Sequence, residues 1–154
     1  MRAARAASAK RMTAVSVINL ARRKRVPRFA YTAVAEKTLP GWDISLVFVS
    51  PQKAQALNKQ LRGAAYVPNV LSYALGARGG EIIICIAEAE KQASSYGMDA
   101  RNFVLYLFIH GLLHLKGWAH GGTMERCERK MLALFAPDST SISPYGATHS
   151  HRHR

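Results

Sequence analysis

Three histidines lie within eleven residues of one another in the C-terminal half of the chain. His110 and His114 are four residues apart, so on a helix both imidazoles project from one face. Gly117 can end that helix, and three residues later the chain can bring His120 back over the same face. Three neutral imidazoles suit a divalent metal and leave a coordination position open for water or substrate. The pattern therefore predicts a catalytic site for one divalent ion, with Zn²⁺ as the first candidate.

The histidine pair also has a simpler interpretation. Two histidines at this spacing on an apolar helix are often only packed and hydrogen-bonded, and the third histidine after a glycine is what favours a metal. In metalloproteases with a His-x-x-x-His helix, a glutamate directly after the first histidine is the general base. This chain has Gly111 at that position, which disfavours a peptidase.

The elements that position these residues can be predicted from hydrophobic periodicity and capping residues. A helix capped by Asp99 and running through Lys116 would carry the first two histidines. Strands and helices intermix in one chain of 154 residues, which indicates a single domain of mixed α and β class. The predicted strands are Ala14–Leu20, Asp43–Ser50, Val70–Ala74 and Glu81–Ile86. The other predicted helices are Arg28–Thr38, a helix that Ser50 caps and that ends at Arg62, Ile86–Tyr96, and Thr123–Phe135, which Thr123 would cap.

The basic charge is concentrated near the N-terminus. The chain has 22 lysine and arginine residues against 9 acidic ones, and nine of the basic residues, with no acid, fall in residues 1–35. Such a balance favours a polyanionic partner, nucleic acid first. RNA contacts are predicted for the run Arg22, Arg23, Lys24 and Arg25, and for Lys116 beside the histidines. The alternatives are a solvated basic surface and, for Lys116, a lysine that complements the dipole at a helix C-terminus.

The composition of both ends differs from that of the centre. Residues 1–12 are rich in Ala, Arg and Ser and predict a flexible basic arm, although such a segment can also mimic an organellar transit peptide. Residues 137–154 have no apolar periodicity and predict a disordered tail, which leaves 13–136 as the folded domain. No run of about 18 uncharged apolar residues occurs, so no membrane partner is expected. Two cysteines, Cys85 and Cys127, suit the core of a protein in a reducing, cytoplasmic compartment.

The segment around the histidines resembles the signature of the YbeY family, metal-dependent endoribonucleases that act in ribosomal RNA maturation. That signature reads roughly His-Gly-x-Leu-His-Leu-x-Gly-Tyr-Asp-His, and residues 110–120 read His-Gly-Leu-Leu-His-Leu-Lys-Gly-Trp-Ala-His. Three further stretches are similar to family motifs in order and spacing, so the resemblance covers roughly 15–135. They are Leu57-Asn58 followed by Arg62-Gly63, then Asn69-Val70-Leu71-Ser72-Tyr73, and Gly80-Glu81-Ile82.

The resemblance implies both a fold and a set of site residues. The fold would be a single α+β domain, a small mixed four-stranded sheet packed with helices, of the zincin-like metal-dependent hydrolase type. His110, His114 and His120 would be the metal ligands, and Arg62 would be the family's functional arginine in the same cleft. This chain departs from the family pattern at four positions. The family has aspartate at the positions of Ala119, Ala65 and Glu81, and threonine at the position of Pro68.

The function implied is metal-assisted hydrolysis of single-stranded RNA in ribosomal RNA processing, maturation and ribosome quality control. Arg62 and His114 would be the catalytic residues, with the Arg62 guanidinium paired to the scissile phosphate. The partners would be ribosomal RNA or a ribosomal subunit, with ribosomal proteins beside it. Two alternatives stay open, a non-catalytic ribosome-associated RNA-binding factor with a structural metal, and a metal-dependent hydrolase of small molecules. Without the resemblance, the sequence is equally consistent with Arg62 as a surface charge at the end of a helix.

Overall fold

Four strands form one mixed sheet, in the spatial order β1-β2-β4-β3. In this computed structural model, which describes residues 9–139, β1, β2 and β4 run parallel and β3 runs antiparallel to β4. The two central strands, β2 and β4, are buried on both faces, as their continuous apolar runs predict. The strands are β1 Ala14–Asn19, β2 Asp43–Val49, β3 Val70–Ala74 and β4 Gly79–Cys85.

Five α-helices cover the two faces of the sheet. α4 is apolar on almost all sides, as expected for a helix that lies between one face of the sheet and the other helices of that layer. α2 packs on the opposite face of the sheet. None of the described helices is both long and apolar enough to span a membrane. The helices are α1 Tyr31–Thr38, α2 Pro51–Arg62, α3 Ile86–Gln92, α4 Ala100–Leu115 and α5 Gly122–Phe135, with short 3-10 turns at Ala93–Tyr96 and Pro137–Ser139.

Capping residues explain where α2 and α4 begin. Ser50 accepts a hydrogen bond from the Lys53 amide (3.2 Å) at the start of α2, and Asp99 accepts one from the Asn102 amide (2.7 Å) at the start of α4. Both predicted caps are confirmed. The prediction that Thr123 caps α5 is wrong, because the helix already begins at Gly122 and no side chain caps it.

Both ends of the described chain lie against the domain. Residues 9–12 have no regular secondary structure, but Lys10 pairs with Glu36 (3.5 Å) and Arg11 with Asp43 (3.2 Å). Exposed pairs of this kind contribute little to stability. The segment predicted as a tail begins with the turn Pro137–Ser139. The remaining parts of the predicted arm and tail, 1–8 and 140–154, lie outside the described residues.

The backbone of α4 approaches β4 closely at Gly111. A Cβ atom at Gly111 would lie 3.0 Å from Cγ2 of Ile82, a fully buried residue of β4. The position directly after the first histidine is thus filled by the sheet. A glutamate at this position would press against Ile82, so the packing, like the sequence, disfavours a metalloprotease of this kind.

We expect Gly111→Val to lower the free energy of unfolding by about 2 kcal/mol, because Ile82 is held in a central strand and cannot move aside. Chemical denaturation monitored by circular dichroism measures this change. Gly122→Val is the matched control, since a Cβ there meets only the flexible end of Arg126 at 3.2 Å. Equal stability of the two variants would contradict the close packing of α4 on β4.

Candidate metal centre

Three histidine side chains converge where α4 ends. His110 and His114 come from the last two turns of α4, and His120 comes from the loop that leads into α5. Their ring centroids are 4.5 to 5.0 Å apart, and one ligand atom from each lies within 4.8 Å of the others. The first two histidines are half-buried and His120 is exposed. The group can therefore hold a metal ion that is open to solvent on one side.

Hydrogen bonds define the tautomers of two of these histidines. Nδ1 of His114 lies 3.1 Å from the Trp118 carbonyl, which can only accept, so this nitrogen carries the hydrogen. Nδ1 of His110 lies 3.3 Å from Oε1 of Glu128, and a carboxylate also accepts. In the neutral imidazoles, both Nε2 atoms are then left with lone pairs.

The two Nε2 atoms are 3.0 Å apart. Two lone pairs at this distance repel each other unless a cation lies between them, and neutral imidazole nitrogen is a preferred ligand of zinc-like divalent metals. The donor set therefore fits a divalent metal, and the outer hydrogen bonds are of the kind that orient metal-binding histidines.

Glu128 is a site residue that sequence reasoning missed. It lies on α5, only 2% exposed, between the buried residues Met124 and Met131. A carboxylate is costly to bury without a partner, and His110 is one partner of Glu128. An acidic residue within the apolar stripe of a helix is the signal that could have found it. Ala119, where the family has aspartate, is exposed, and the carboxylate that contacts His110 comes from α5.

Tyrosines form the wall of the site next to His110. The ring of Tyr106 is 5.9 Å from that of His110 and stacks on Phe103. Burial raises the pKa of the Tyr96 hydroxyl, and the negative charge of Glu128 raises it further. The phenol therefore stays protonated at neutral pH and keeps its hydrogen-bond donor.

Arg62 and the three histidines share one cleft of about 480 Å³. Arg62 is the last residue of α2, which ends where Gly63 adopts a left-handed conformation (φ 68°), and its side chain is exposed. The structure thus brings together the four residues that the resemblance assigned to the site. The cleft is lined by Arg62, Tyr66, Val67, Pro68, Asn69, Val70, Leu71, Ser72, Gln92, Tyr96, Tyr106, Leu107, His110, His114 and His120.

The basic residues predicted to contact RNA lie outside this lining. Lys116 directly follows α4, and its Nζ is 5.0 Å from the ring centroid of Trp118. Lys24 pairs with Glu90 at 2.7 Å, whereas Arg22, Arg23 and Arg25 are exposed. These residues can contribute to a wider basic surface, not to the floor of the cleft.

The cysteines are not part of the histidine group. Cys85 is buried at the end of β4, and burial raises the pKa of its thiol. Cys127 is half-buried on α5 and packs against the main core. Both positions agree with the core roles expected from the sequence.

The fold and the site define a class, a small α+β protein with a three-histidine centre in a cleft beside an arginine. The family model described as Endoribonuclease YbeY matches residues 10–136. The chain is 30% identical to an Endoribonuclease YbeY of Geobacillus kaustophilus, over 77% of this chain and 83% of that protein. It is 32% identical to one of Halalkalibacterium halodurans, over 78% and 80%. The chain therefore belongs to the YbeY family.

A solved structure supports the fold independently. A solution structure of a Thermotoga maritima protein aligns with a TM-score of 0.53 at 21% identity, over 78% of this chain and 87% of that one. The expectation of one α+β domain with a mixed four-stranded sheet is thus confirmed.

We expect Glu128→Gln to weaken binding of a divalent metal by roughly 10- to 100-fold, because an amide orients His110 less firmly than a carboxylate does. Titration of metal-free protein with Zn²⁺ or Co²⁺ measures the affinity without any substrate. Glu125→Gln, three residues earlier on α5 at a half-exposed position, is the matched control. Unchanged affinity in Glu128→Gln would show that this carboxylate does not support the site.

Proposed function

We propose that this protein is a metal-dependent endoribonuclease that hydrolyses phosphodiester bonds of single-stranded RNA. The observation that carries the proposal is the convergence of the Nε2 atoms of His110 and His114, 3.0 Å apart, in the cleft that Arg62 also lines. Membership of the YbeY family supports the same activity. The ligands in this proposal are His110, His114 and His120, and Zn²⁺ is the first candidate for the metal.

The proposed roles follow from the position of each side chain. Arg62 is exposed at the end of α2, where its planar guanidinium can pair with two oxygens of the scissile phosphate and stabilise the charge that develops on them. His114 is held by the Trp118 carbonyl with its Nε2 directed to the other histidines. The three histidines would hold a divalent metal, which would supply positive charge for the phosphate and activate water.

The basic residues outside the cleft suit the RNA backbone. Arg22, Arg23 and Arg25 are exposed, Lys24 is half-exposed, and Lys116 follows His114 by two residues. Contacts of this kind are independent of base sequence and weaken with rising salt concentration. We propose ribosomal RNA or a ribosomal subunit in the cytoplasm as the natural substrate, with ribosomal proteins as further partners, on the strength of the family resemblance.

We expect His114→Ala to reduce RNA cleavage by more than the roughly 100-fold that loss of an outer hydrogen bond causes, because a ligand is removed. A chelator should have the same effect on the wild-type protein. Gel analysis of a structured RNA with unpaired loops measures cleavage, and filter binding measures affinity. Three further histidines alternate near the C-terminus, and histidines so close together can bind metal on their own. Every sample therefore carries His149→Ala, His151→Ala and His153→Ala.

Two outcomes decide between the candidate functions. If cleavage remains both in the presence of a chelator and in the His114→Ala variant, the proposal of a metal-dependent nuclease is contradicted. RNA binding without any cleavage by the wild-type protein would favour the non-catalytic RNA-binding factor instead.

We expect Arg62→Ala to lower kcat by roughly 100- to 1000-fold, since a charged donor to the phosphate is lost. Arg62→Lys should recover only part of this, because an ammonium cannot bind two oxygens in one plane. Single-turnover cleavage kinetics measure both. Lys59→Ala removes an exposed positive charge one turn earlier on α2 and is the matched control. A similar loss in both variants would mean that only general charge matters.

A further inference from the structure

We propose that Tyr66 is the residue that stacks on an unpaired base of the substrate, next to the phosphate that Arg62 binds. This inference rests on the proposed function and deepens it, because it adds a contact to the base. Tyr66 lies in the loop between α2 and β3, four residues after Arg62, and lines the same cleft.

The exposure of Tyr66 is unusual for an aromatic side chain in this protein. Of the large apolar side chains that are exposed in the described part of the chain, it is the one aromatic, with 45% of its surface accessible. The other tyrosines in the cleft are engaged already. Tyr106 is buried, and Tyr96 packs against Phe103 with ring centroids 4.7 Å apart. Of the three tyrosines in the cleft, Tyr66 is therefore the one most accessible to an entering base.

The backbone that carries Tyr66 is held by two side chains of α2. Nδ2 of the fully buried Asn58 donates to the Tyr66 carbonyl at 3.0 Å. Nε2 of Gln55 donates to the carbonyl of Ala65 at 2.7 Å. Since the loop is already ordered, stacking a base on Tyr66 costs little further backbone entropy.

The chemistry of this position selects a class of substrate. Every base has an aromatic face, so stacking tolerates any sequence, as in proteins that bind single strands. A base within a duplex has both faces covered by its neighbours, so it must leave the stack to reach the ring of Tyr66. The combination of Arg62 for the phosphate and Tyr66 for the base then favours an unpaired nucleotide at the cleavage site.

The test uses the full-length protein and a short single-stranded RNA of mixed sequence. A series of RNAs with the same sequence is prepared, in which each RNA lacks the base at one position. Comparing the affinities for these RNAs locates the base that the protein contacts. We expect wild-type affinity to fall at one position when its base is absent. Tyr66→Ala should weaken binding of the intact RNA by roughly 5- to 100-fold. The affinity of this variant should no longer depend on whether the base at that position is present.

Two variants separate stacking from other effects. Tyr66→Phe keeps the aromatic face and should bind nearly as the wild-type protein does. Leu61→Ala removes a comparably exposed apolar side chain, 47% accessible, from outside the cleft lining, and should have no effect. Independent, multiplicative effects of Tyr66→Ala and base removal would overturn the proposal, as would an equal loss in Leu61→Ala.

The outcome for stacking can be told apart from the outcome for the proposed function. If the wild-type protein cleaves RNA but Tyr66→Ala binds normally, the proposed function stands and the stacking role is wrong. If the protein does not cleave but the base dependence at Tyr66 is present, stacking stands and the nuclease proposal fails. Absence of RNA binding by the wild-type protein would overturn both.

Discussion

The arrangement of the site depends on two hydrogen bonds made by the far side of the imidazoles. The Trp118 carbonyl and the Glu128 carboxylate occupy Nδ1 of His114 and His110, which directs both Nε2 lone pairs to one point. Each acceptor depends on a different part of the fold. The first requires the chain to turn back directly after α4, where Gly117 has φ 94°, and the second requires α5 to pack against α4.

The same helix must serve the core and the site, and this requirement explains its unusual composition. α4 is buried along most of its length, and its C-terminal half lines the cleft with Tyr106, Leu107 and the two histidines. Gly111 lets the backbone of the helix come close to Ile82 of β4. The position after the first histidine therefore has no side chain that could act as a base.

Much of the fold could be predicted because its signals are local. The Ser50 and Asp99 caps, the apolar run of β4 and the strand Val70–Ala74 all appear where the sequence predicts them, since capping and alternation act over a few residues. Not every boundary agrees with the prediction, since α1 begins at Tyr31 rather than at Arg28 and α5 also begins differently. Thr123 is a good capping residue, but its hydroxyl accepts from Arg126 within the helix instead.

The sequence by itself determined the histidine pair, because a spacing of four residues on a helix places two side chains on one face whatever surrounds the helix. Gly117 also indicated His120, and the family motifs indicated Arg62. Only the tertiary structure decided that Glu128, 18 residues from His110 along the chain, supplies the buried carboxylate. It also decided that Tyr66 stays exposed in the cleft. Such contacts depend on how helices and loops pack, and packing is a property of the whole chain rather than of a local pattern.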